Sequence, residues 1–283
     1  MKSNPLKWVL IAMTAFAIVA CGKDRDGKEK ANDENRSFVP FKTFVEDFGT
    51  GKVTVRASFD AKGRSTGFVV SEDSGDASYE ITFDLVYGSD NTFTATEKDV
   101  ASGQDDYIAR RYEGTLSNGL MTEARLWEGD EANPVVEKAT YDKEGHLSSL
   151  VMEFADGGVV TQNFTWADGN LTEFSHAYKD PRLGNVTSVR TTMEYGTLVN
   201  KSGLGALMGY PGDFYEYPLG FLLGTAFTKN IPVKRCEYDN TGTLLYGVEY
   251  VNIKTNSEGL VTGYTRKGLN EYSGDDFTYT LTY

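Results

Sequence analysis

The sequence predicts an all-β fold: a large antiparallel meander of hairpins that forms a curled sheet or an incomplete barrel. Apolar and polar residues alternate along many short runs, and a strand turns successive side chains to opposite faces. Each run therefore has one apolar and one polar face, which is typical of antiparallel sheet. About fifteen strands are expected on this pattern. Clear examples are residues 53–59, 79–87, 150–154, 160–166, 244–250 and 277–283.

A repeated turn joins the predicted strands. The pattern aromatic-Asp-x-x-Gly occurs at residues 59–63, 141–145 and 238–242. Aspartate suits the first position of a type I turn because its carboxylate accepts a local backbone hydrogen bond, and glycine accepts the left-handed conformation that follows. We therefore expect hairpins with a glycine bulge. Asp156-Gly157-Gly158 and Asp168-Gly169-Asn170 predict tighter versions.

Two resemblances follow from these residues. The Tyr-Asp-x-x-Gly-x-Leu units at 141–147 and 238–244 resemble the tyrosine-aspartate repeats of Rhs-type surface proteins. The chain after residue 20 resembles a family of uncharacterised Bacteroides lipoproteins, a domain of unknown function with a porin-like β fold. Residues 222–232, followed by a strand and an Asp-x-x-Gly turn, carry this likeness. The family implies a fold and no activity, so no functional residue is carried over.

Residues 1–20 have the layout of a secretory signal peptide. Lys2 and Lys7 precede an uncharged apolar run of 13 residues, Trp8 to Ala20. This run is shorter than the ~20 helical residues that cross a bilayer. Residues 18–21, Ile-Val-Ala-Cys, resemble the lipobox of bacterial lipoproteins. The resemblance implies cleavage before Cys21 and attachment of a lipid to Cys21, which anchors the chain in a membrane.

Residues 21–37 are expected to form a disordered tether between the lipid and a single β domain, residues 38–283. Ten of the sixteen residues from 22 to 37 are charged, so the segment has too little apolar surface to fold. Lys23, Asp24 and Asp26 are similar to surface-export signals of Bacteroidetes lipoproteins, and Arg25 interrupts the usual acidic pair. An outer-membrane lipoprotein of the cell envelope is expected, with the leaflet and surface exposure left open.

Composition limits the partners. Removal of Lys2 and Lys7 leaves 26 basic and 41 acidic residues, a formal charge of −15. This charge repels nucleic acid and favours solubility. We expect a monomer held to the membrane by its lipid, with a glycan or protein ligand. Cys236 has no disulfide partner once Cys21 is lipidated, and a buried strand position is expected for it.

Two segments break the alternation. Phe41, Phe44, Val45 and Phe48 recur at helical spacing, so residues 40–49 are expected to form a short helix, with an edge strand as the alternative. Residues 196–232 form a Gly/aromatic-rich insert in which residues 204–208 and 219–227 favour one or two short helices. The insert predicts either a plug over an open end of the sheet or a ligand patch. The candidate patch consists of Tyr210, Phe214, Tyr215, Tyr217 and Phe221.

No motif points to catalysis. His146 and His176 lack zinc-ligand spacing, and the chain has no Gly-x-Ser-x-Gly elbow, phosphate loop or dinucleotide fingerprint. The acidic pairs at 72–73, 105–106 and 275–276 match no EF-hand. We therefore expect no catalytic, cofactor-binding or metal-binding residues.

Three functions stay open. A membrane-anchored binding or structural module is favoured over an enzyme. An outer-membrane β-barrel is the first alternative, because the alternation and the aromatic last residue, Tyr283, suit one. Many predicted strands are shorter than the 9–11 residues that a membrane strand needs, and the turns are tight at both ends. A glycan-acting hydrolase is the second alternative, which would need two carboxylates at a fixed separation.

Overall fold

The chain folds into a closed barrel of sixteen antiparallel strands. The computed structural model describes residues 39, 41–47, 49–61, 64–73, 78–101, 107–129, 131–182, 184, 186–201, 228–269 and 276–283. The strands are β1 (Thr43–Asp47), β2 (Lys52–Phe59), β3 (Ser65–Asp73), β4 (Ser78–Tyr87), β5 (Thr92–Ala101), β6 (Tyr107–Ser117), β7 (Leu120–Glu128), β8 (Val135–Tyr141), β9 (Leu147–Glu153), β10 (Val159–Ala167), β11 (Asn170–Lys179), β12 (Val186–Val199), β13 (Asn230–Asp239), β14 (Leu244–Thr255), β15 (Val261–Gly268) and β16 (Phe277–Thr282).

Every strand pairs with the next one in sequence, and β1 closes the barrel against β16. The closing pair is in regular register, with Phe44 opposite Leu281 and Glu46 opposite Tyr279. The predicted all-β antiparallel meander is therefore confirmed. The sheet curls until its two edges meet, so these strands leave no unpaired edge for another chain to join.

The barrel wall is mostly apolar inside and mostly polar outside, with Val86, Ile108 and Leu245 as exposed apolar exceptions. Val55, Phe83 and Leu147 represent the inward positions, and each is completely buried. The outward positions between them carry threonines and charged residues. Pairs of opposite charge bridge neighbouring strands on this outer face, such as Lys138 with Glu153 at 3.1 Å. The alternation that predicted the strands thus also separates the two faces of the wall.

The predicted turns at residues 141–145 and 238–242 are present, and the turn at 59–63 lies partly outside the described residues. The side chain of Asp142 accepts hydrogen bonds from the backbone N–H groups of Glu144 and His146, both at 2.9 Å. Gly145 has a φ of +86°, the left-handed conformation that glycine adopts without steric cost. The strand register shifts at the residue before Asp142, as expected for a bulged hairpin. Asn256 caps the turn between β14 and β15 in the same way, which the aspartate pattern alone did not predict.

Two expectations about irregular segments are corrected. The helix expected over residues 40–49 is wrong, because residues 43–47 form β1 with Phe44 and Glu46 buried and facing inward. The insert is also shorter than residues 196–232, because β12 extends to Val199 and β13 begins at Asn230. The helices expected at 204–208 and 219–227 lie outside the described residues. No helix in the described part of the chain is long and apolar enough to cross a membrane.

The two ends of the barrel differ in what they carry. We call the end where odd-numbered strands begin the lower end, and the opposite end the upper end. The lower end holds both chain ends of the barrel and the connection between β12 and β13. The N–H of Val39 donates to the carbonyl of Lys201 at 3.2 Å, so the segment that follows residue 38 enters the barrel beside this connection. A tether preceding residue 39 would therefore reach the barrel at its lower end.

Aromatic side chains form hydrogen bonds to the backbone at the lower end of the barrel. Each of four side chains donates its O–H or N–H to a backbone carbonyl near the start of the preceding strand. The pairs are Tyr141 to Met121 at 2.7 Å, Trp166 to Leu147 at 3.0 Å, Tyr195 to Leu171 at 2.7 Å and Tyr283 to Val261 at 2.8 Å. The polar tip of each ring is thereby satisfied while its body stays in the core. The final aromatic residue, Tyr283, thus packs against the inner side of the wall.

Candidate functional site

The inner face becomes polar in the upper half of the barrel. We call this band of inward-facing polar side chains the inner belt. Its largest part, the acid cluster, lies on β5 to β8 and consists of Glu97, Asp99, Arg110, Tyr112, Glu128 and Glu137. Buried acids are rare in protein cores unless they are paired. The acid cluster is therefore a candidate functional site.

Strand register assembles the acid cluster. Arg110 on β6 lies opposite Glu97 on β5 and opposite Glu128 on β7. Its guanidinium forms an ion pair with each carboxylate, at 3.4 Å in both cases. Tyr112 is the next inward residue on β6, one step closer to the centre of the barrel. Glu137 faces inward from β8, opposite Ala124.

Burial shifts the acidity of the acid cluster. Burial raises the pKa of Glu97 to about 7, although the nearby Arg110 acts in the opposite direction. Burial raises the pKa of Glu137 to about 8. The pKa of the Tyr112 hydroxyl is also raised, first by burial and then by the negative charge of Glu97. The carboxyl of Glu137 is therefore expected to carry a proton at neutral pH unless a cation approaches it.

Four oxygens of the acid cluster are buried without a hydrogen-bond partner among the described residues. They are Glu97 Oε2, Asp99 Oδ1, Tyr112 Oη and Glu137 Oε1. Tyr112 and Glu137 each have only 1% of their surface exposed. Buried polar atoms in folded proteins are almost always satisfied by protein, water or ligand. These four oxygens are therefore the unsatisfied buried polar atoms of the acid cluster.

A second charged group occupies β15, β16 and β1. The hydroxyl of Tyr279 donates to Glu46 Oε1 at 2.9 Å, and the Arg266 guanidinium lies 3.9 Å from the same oxygen. Burial raises the pKa of Glu46, while Arg266 and the tyrosine hydrogen bond lower it. Arg266 also stacks over the Phe277 ring, 4.2 Å from its centroid. This acid is compensated by its neighbours, in contrast to Glu137.

The remaining parts of the inner belt lie between these two groups. On β13, Arg235 forms an ion pair with Glu237 at 3.2 Å. On β10 and β11, Gln162 Nε2 lies 3.4 Å from a ring nitrogen of His176. The Oε1 atom of Gln162 is buried without a partner among the described residues. Polar groups thus continue around much of the inner wall, and the acid cluster has the largest excess of carboxyls.

Another group of polar side chains lies in the lower turn between β8 and β9. The ligand atoms of Asp142, Glu144 and His146 lie within 4.8 Å of one another, and among the described residues this is the one grouping close enough to share a metal ion. The His146 ring stacks on Trp166 and its Nδ1 lies 3.1 Å from Asp142 Oδ2. Although burial acts to raise the pKa of Asp142, hydrogen bonds from the His146 backbone and ring lower it. These three side chains lie close together because Asp142 caps the turn and His146 binds Asp142.

The site residues expected from sequence mostly lie outside the described residues. This holds for the lipidation site Cys21 and for the candidate patch of Tyr210, Phe214, Tyr215, Tyr217 and Phe221. Cys236 is a free, buried residue of β13, as expected.

Sequence reasoning missed the acid cluster, although a signal was available. Glu97 and Glu137 occupy positions whose parity assigns them to the apolar face, in the runs Phe93-x-Ala95-x-Glu97 and Val135-x-Glu137-x-Ala139. An acid that shares the parity of buried apolar residues on a strand lies on the same face as they do, so it indicates an inward-facing charge.

The fold and the inner belt define a class: a closed antiparallel β-barrel with a polar outer wall and a partly polar interior. Solved structures of this fold exist. The chain is similar to a porin-like protein from Bacteroides vulgatus at 17% identity, with a TM-score of 0.55 over 86% of this chain and 98% of that one. It is also similar to a porin-like protein from Bacteroides uniformis at 14% identity, with a TM-score of 0.58 over 87% and 98% of the two chains.

These likenesses show a shared porin-like barrel fold over nearly the whole length of both relatives. No protein-family model matches the chain. No curated protein matches it either. The expected porin-like fold is therefore confirmed at the level of architecture.

Proposed function

We propose that the chain is a cell-envelope lipoprotein whose barrel stands outside the bilayer and acts as a binding module. The observation that supports this proposal is the polarity of the wall. The charged residues Arg56, Lys138, Arg190 and Lys234 face outward from β2, β8, β12 and β13 and pair with acids on nearby strands. Most apolar residues are buried inside the barrel, whereas Val86, Ile108 and Leu245 are exposed.

Membrane barrels have the opposite polarity, with an apolar outer band about 25 Å tall. A lysine or arginine on the lipid face costs about 2–4 kcal/mol at the bilayer midplane. Arg190 pairs with Glu173 at 3.2 Å, and Lys234 pairs with Glu194 at 3.0 Å. Insertion of such a wall would move several of these pairs from water into hydrocarbon. The outer face therefore favours an aqueous environment.

The interior counts against permeation. Barrels of 16 to 18 strands can enclose a water-filled channel, and residues that line such a channel are exposed to water. Here Phe83 and Tyr112 have at most 1% of their surface exposed, although both face inward. Residues this inaccessible to water do not line an open channel.

The proposed anchor agrees with the geometry of the barrel. A lipid on Cys21 would place the tether at the lower end, beside Lys201, where the described chain begins. As a flexible coil the tether would reach roughly 20–25 Å from the membrane. The upper half with the inner belt would then point away from the membrane. The candidate aromatic patch, residues 210–221, lies in sequence between β12 and β13, outside the described residues, and remains a proposed site for a glycan or protein ligand.

An outer-membrane β-barrel is the second candidate. The likeness to two porin-like proteins from Bacteroides favours it, as does the closed sixteen-stranded topology. A glycan-acting hydrolase has less support, because Glu97 and Glu137 are buried and offer a bulky sugar no accessible acid.

Solubility separates the first two candidates. A fragment of residues 38–283 should be purified from the soluble fraction and analysed by circular dichroism and sedimentation without detergent. The binding-module proposal expects a folded, monomeric, β-rich protein. A matched fragment with Lys138→Leu and Glu153→Leu removes one outer-face ion pair. If the barrel stands in water, this change should lower its solubility; if the wall faces lipid, the change should improve insertion into detergent micelles.

A further inference from the structure

Glu137 stands apart from the other acids of the acid cluster. It faces inward opposite Ala124 on β7, whereas Arg110 lies opposite Glu128, four residues further along that strand. Arg110 forms its ion pairs at that other level of the wall, with Glu128 and with Glu97 of β5. It therefore compensates these two acids and not Glu137.

The groups that face Glu137 are neutral. Its partners across the neighbouring strands are Ala124 on β7 and Met152 on β9. From β6 the Tyr112 hydroxyl lies close enough for a charge on Glu137 to act on it, and this hydroxyl is buried as well. Burial raises the pKa of Glu137 to about 8, and no charged group among the described residues offsets it. Because an ionised carboxylate needs donors or water, the closed wall accommodates Glu137 in its protonated form.

The backbone ladder beside Glu137 is short. β7 and β8 pair over four residues, from Glu123 with Lys138 to Leu126 with Val135. The ladders on either side are longer, because β6 pairs with β7 at eight positions and β8 pairs with β9 at six. Glu137 lies within the short ladder, one pair above its lower end.

Both strands have attachments that do not depend on the short ladder. At the upper end the N–H of Gly129, just after β7, donates to a carbonyl of β6 at 2.8 Å. On the outer face Lys138 of β8 pairs with Glu153 of β9 at 3.1 Å. At the lower end the Tyr141 hydroxyl donates to the Met121 carbonyl at 2.7 Å and links β8 to β7 below the ladder. A separation of the two strands would therefore begin at the upper end and leave each strand attached to the rest of the sheet.

We propose that loss of the Glu137 proton opens the barrel wall between β7 and β8 while the other strand pairs stay closed. Hydration of the carboxylate drives the opening, and the four residue pairs of the ladder oppose it. Opening gives water a path through the wall to an interior that is otherwise closed, since Phe83 and Tyr112 are at most 1% exposed. The inference goes beyond the proposed function and needs no ligand, so it can fail while the binding proposal stands.

The direction of the pH effect follows from the two states of the wall. In the closed wall the pKa of Glu137 is about 8, and in an open, hydrated wall it returns to the ordinary value of 4.5. Between these values the closed state binds more protons than the open state. Rising pH therefore favours opening until pH 8 is passed, and the effect is absent below pH 4.5.

Backbone hydrogen exchange of the full chain, kept in mild detergent, measures local opening directly. Peptides from residues 120–128 and 135–141 report on β7 and β8, and peptides from β15 and β16 serve as the internal reference. The ladder between β15 and β16 also has four pairs, but the acid beside it, Glu46, is compensated by Arg266 and Tyr279. The unchanged chain and Glu137→Gln are compared at the same pH, which removes the pH dependence of the chemical exchange step.

We expect the ratio of the exchange rate in the unchanged chain to that in Glu137→Gln to rise at least about ten-fold in β7 and β8 between pH 5 and pH 9. The same ratio should stay constant in β15 and β16. Glu137→Met, which also removes the polar atoms, is a second variant in case the glutamine amide disturbs the wall. Glu153→Gln is the matched control, because this residue of β9 faces outward, and it should behave like the unchanged chain.

Two results would overturn the inference. A ratio that does not change with pH in β7 and β8, for both Glu137→Gln and Glu137→Met, would show that Glu137 does not control the wall. Equal acceleration in β7, β8, β15 and β16 would show that rising pH unfolds the whole barrel and does not open it between two strands.

Discussion

Replacement of Glu137 by glutamine tests whether this side chain is buried in the folded barrel. Burial of an acid makes the free energy of unfolding depend on pH. The folded protein holds the proton of Glu137 up to a pKa of about 8, whereas the ordinary pKa is 4.5. Between these two values the folded state binds more protons than the unfolded state. The stability contribution of Glu137 is therefore fully present below pH 4.5 and is lost as pH rises towards 8.

The size of the effect follows from the shift. Each pKa unit corresponds to about 1.36 kcal/mol, so the full shift would cost the folded state about 5 kcal/mol above pH 8. Local relaxation and water entry reduce this figure, and we expect about 2–5 kcal/mol. Glutamine keeps the shape of the side chain and has no ionisation. Between pH 5 and pH 9, the free energy of unfolding should therefore fall by about 2–5 kcal/mol less in Glu137→Gln than in the unchanged chain.

Urea unfolding of the full chain and the variant at several pH values provides the measurement. The difference between the two curves isolates Glu137 from Glu97 and from all other acids that titrate in both proteins. Glu153→Gln, whose side chain is 48% exposed on the outer face, is the control and should leave the pH dependence unchanged. Parallel curves for the unchanged chain and Glu137→Gln would show that Glu137 is not buried in the folded protein.

Four further substitutions test the packing of the wall, the lipid anchor and the aromatic patch. Gly114→Ala should destabilise the barrel by about 1–3 kcal/mol in urea unfolding, because a Cβ there would lie 2.5 Å from the Phe93 ring; full stability would mean that β5 and β6 are not packed as described. Cys21→Ala should abolish labelling with fatty acid, and equal labelling would end the lipoprotein proposal. If the patch is an exposed ligand site, Phe214→Ala and Tyr217→Ala should change the thermal midpoint little and reduce retention on a glycan array. Losses near the 3–5 kcal/mol typical of a core phenylalanine would instead assign both rings to the core.

Much of the barrel wall could be predicted from local sequence. The alternation in Ile81-x-Phe83-x-Leu85 defines a strand and also its buried face, because the side-chain period of a strand is two. The turn at Asp142 was predictable because its hydrogen bonds are local. Both features depend on residues within a few positions of one another.

Closure of the barrel was not predictable from such local patterns. It depends on Phe44 meeting Leu281, residues more than two hundred positions apart. The helix expected near Phe44 is wrong for a related reason. Residues 43–47 pair with β2 and β16 as a strand, and this long-range pairing overrides the helical spacing of the apolar residues. The acid cluster likewise needs three strands in register before Glu97, Arg110 and Glu128 meet.

The central claim, a barrel that stands in water, is tested most directly by sedimentation of residues 38–283 in buffer without detergent. The polar outer wall predicts a single monomeric species with a β-sheet circular dichroism spectrum and a cooperative unfolding transition. Aggregation in buffer, together with a folded, heat-resistant species that appears only in detergent micelles, would contradict the claim and would place the wall in the membrane.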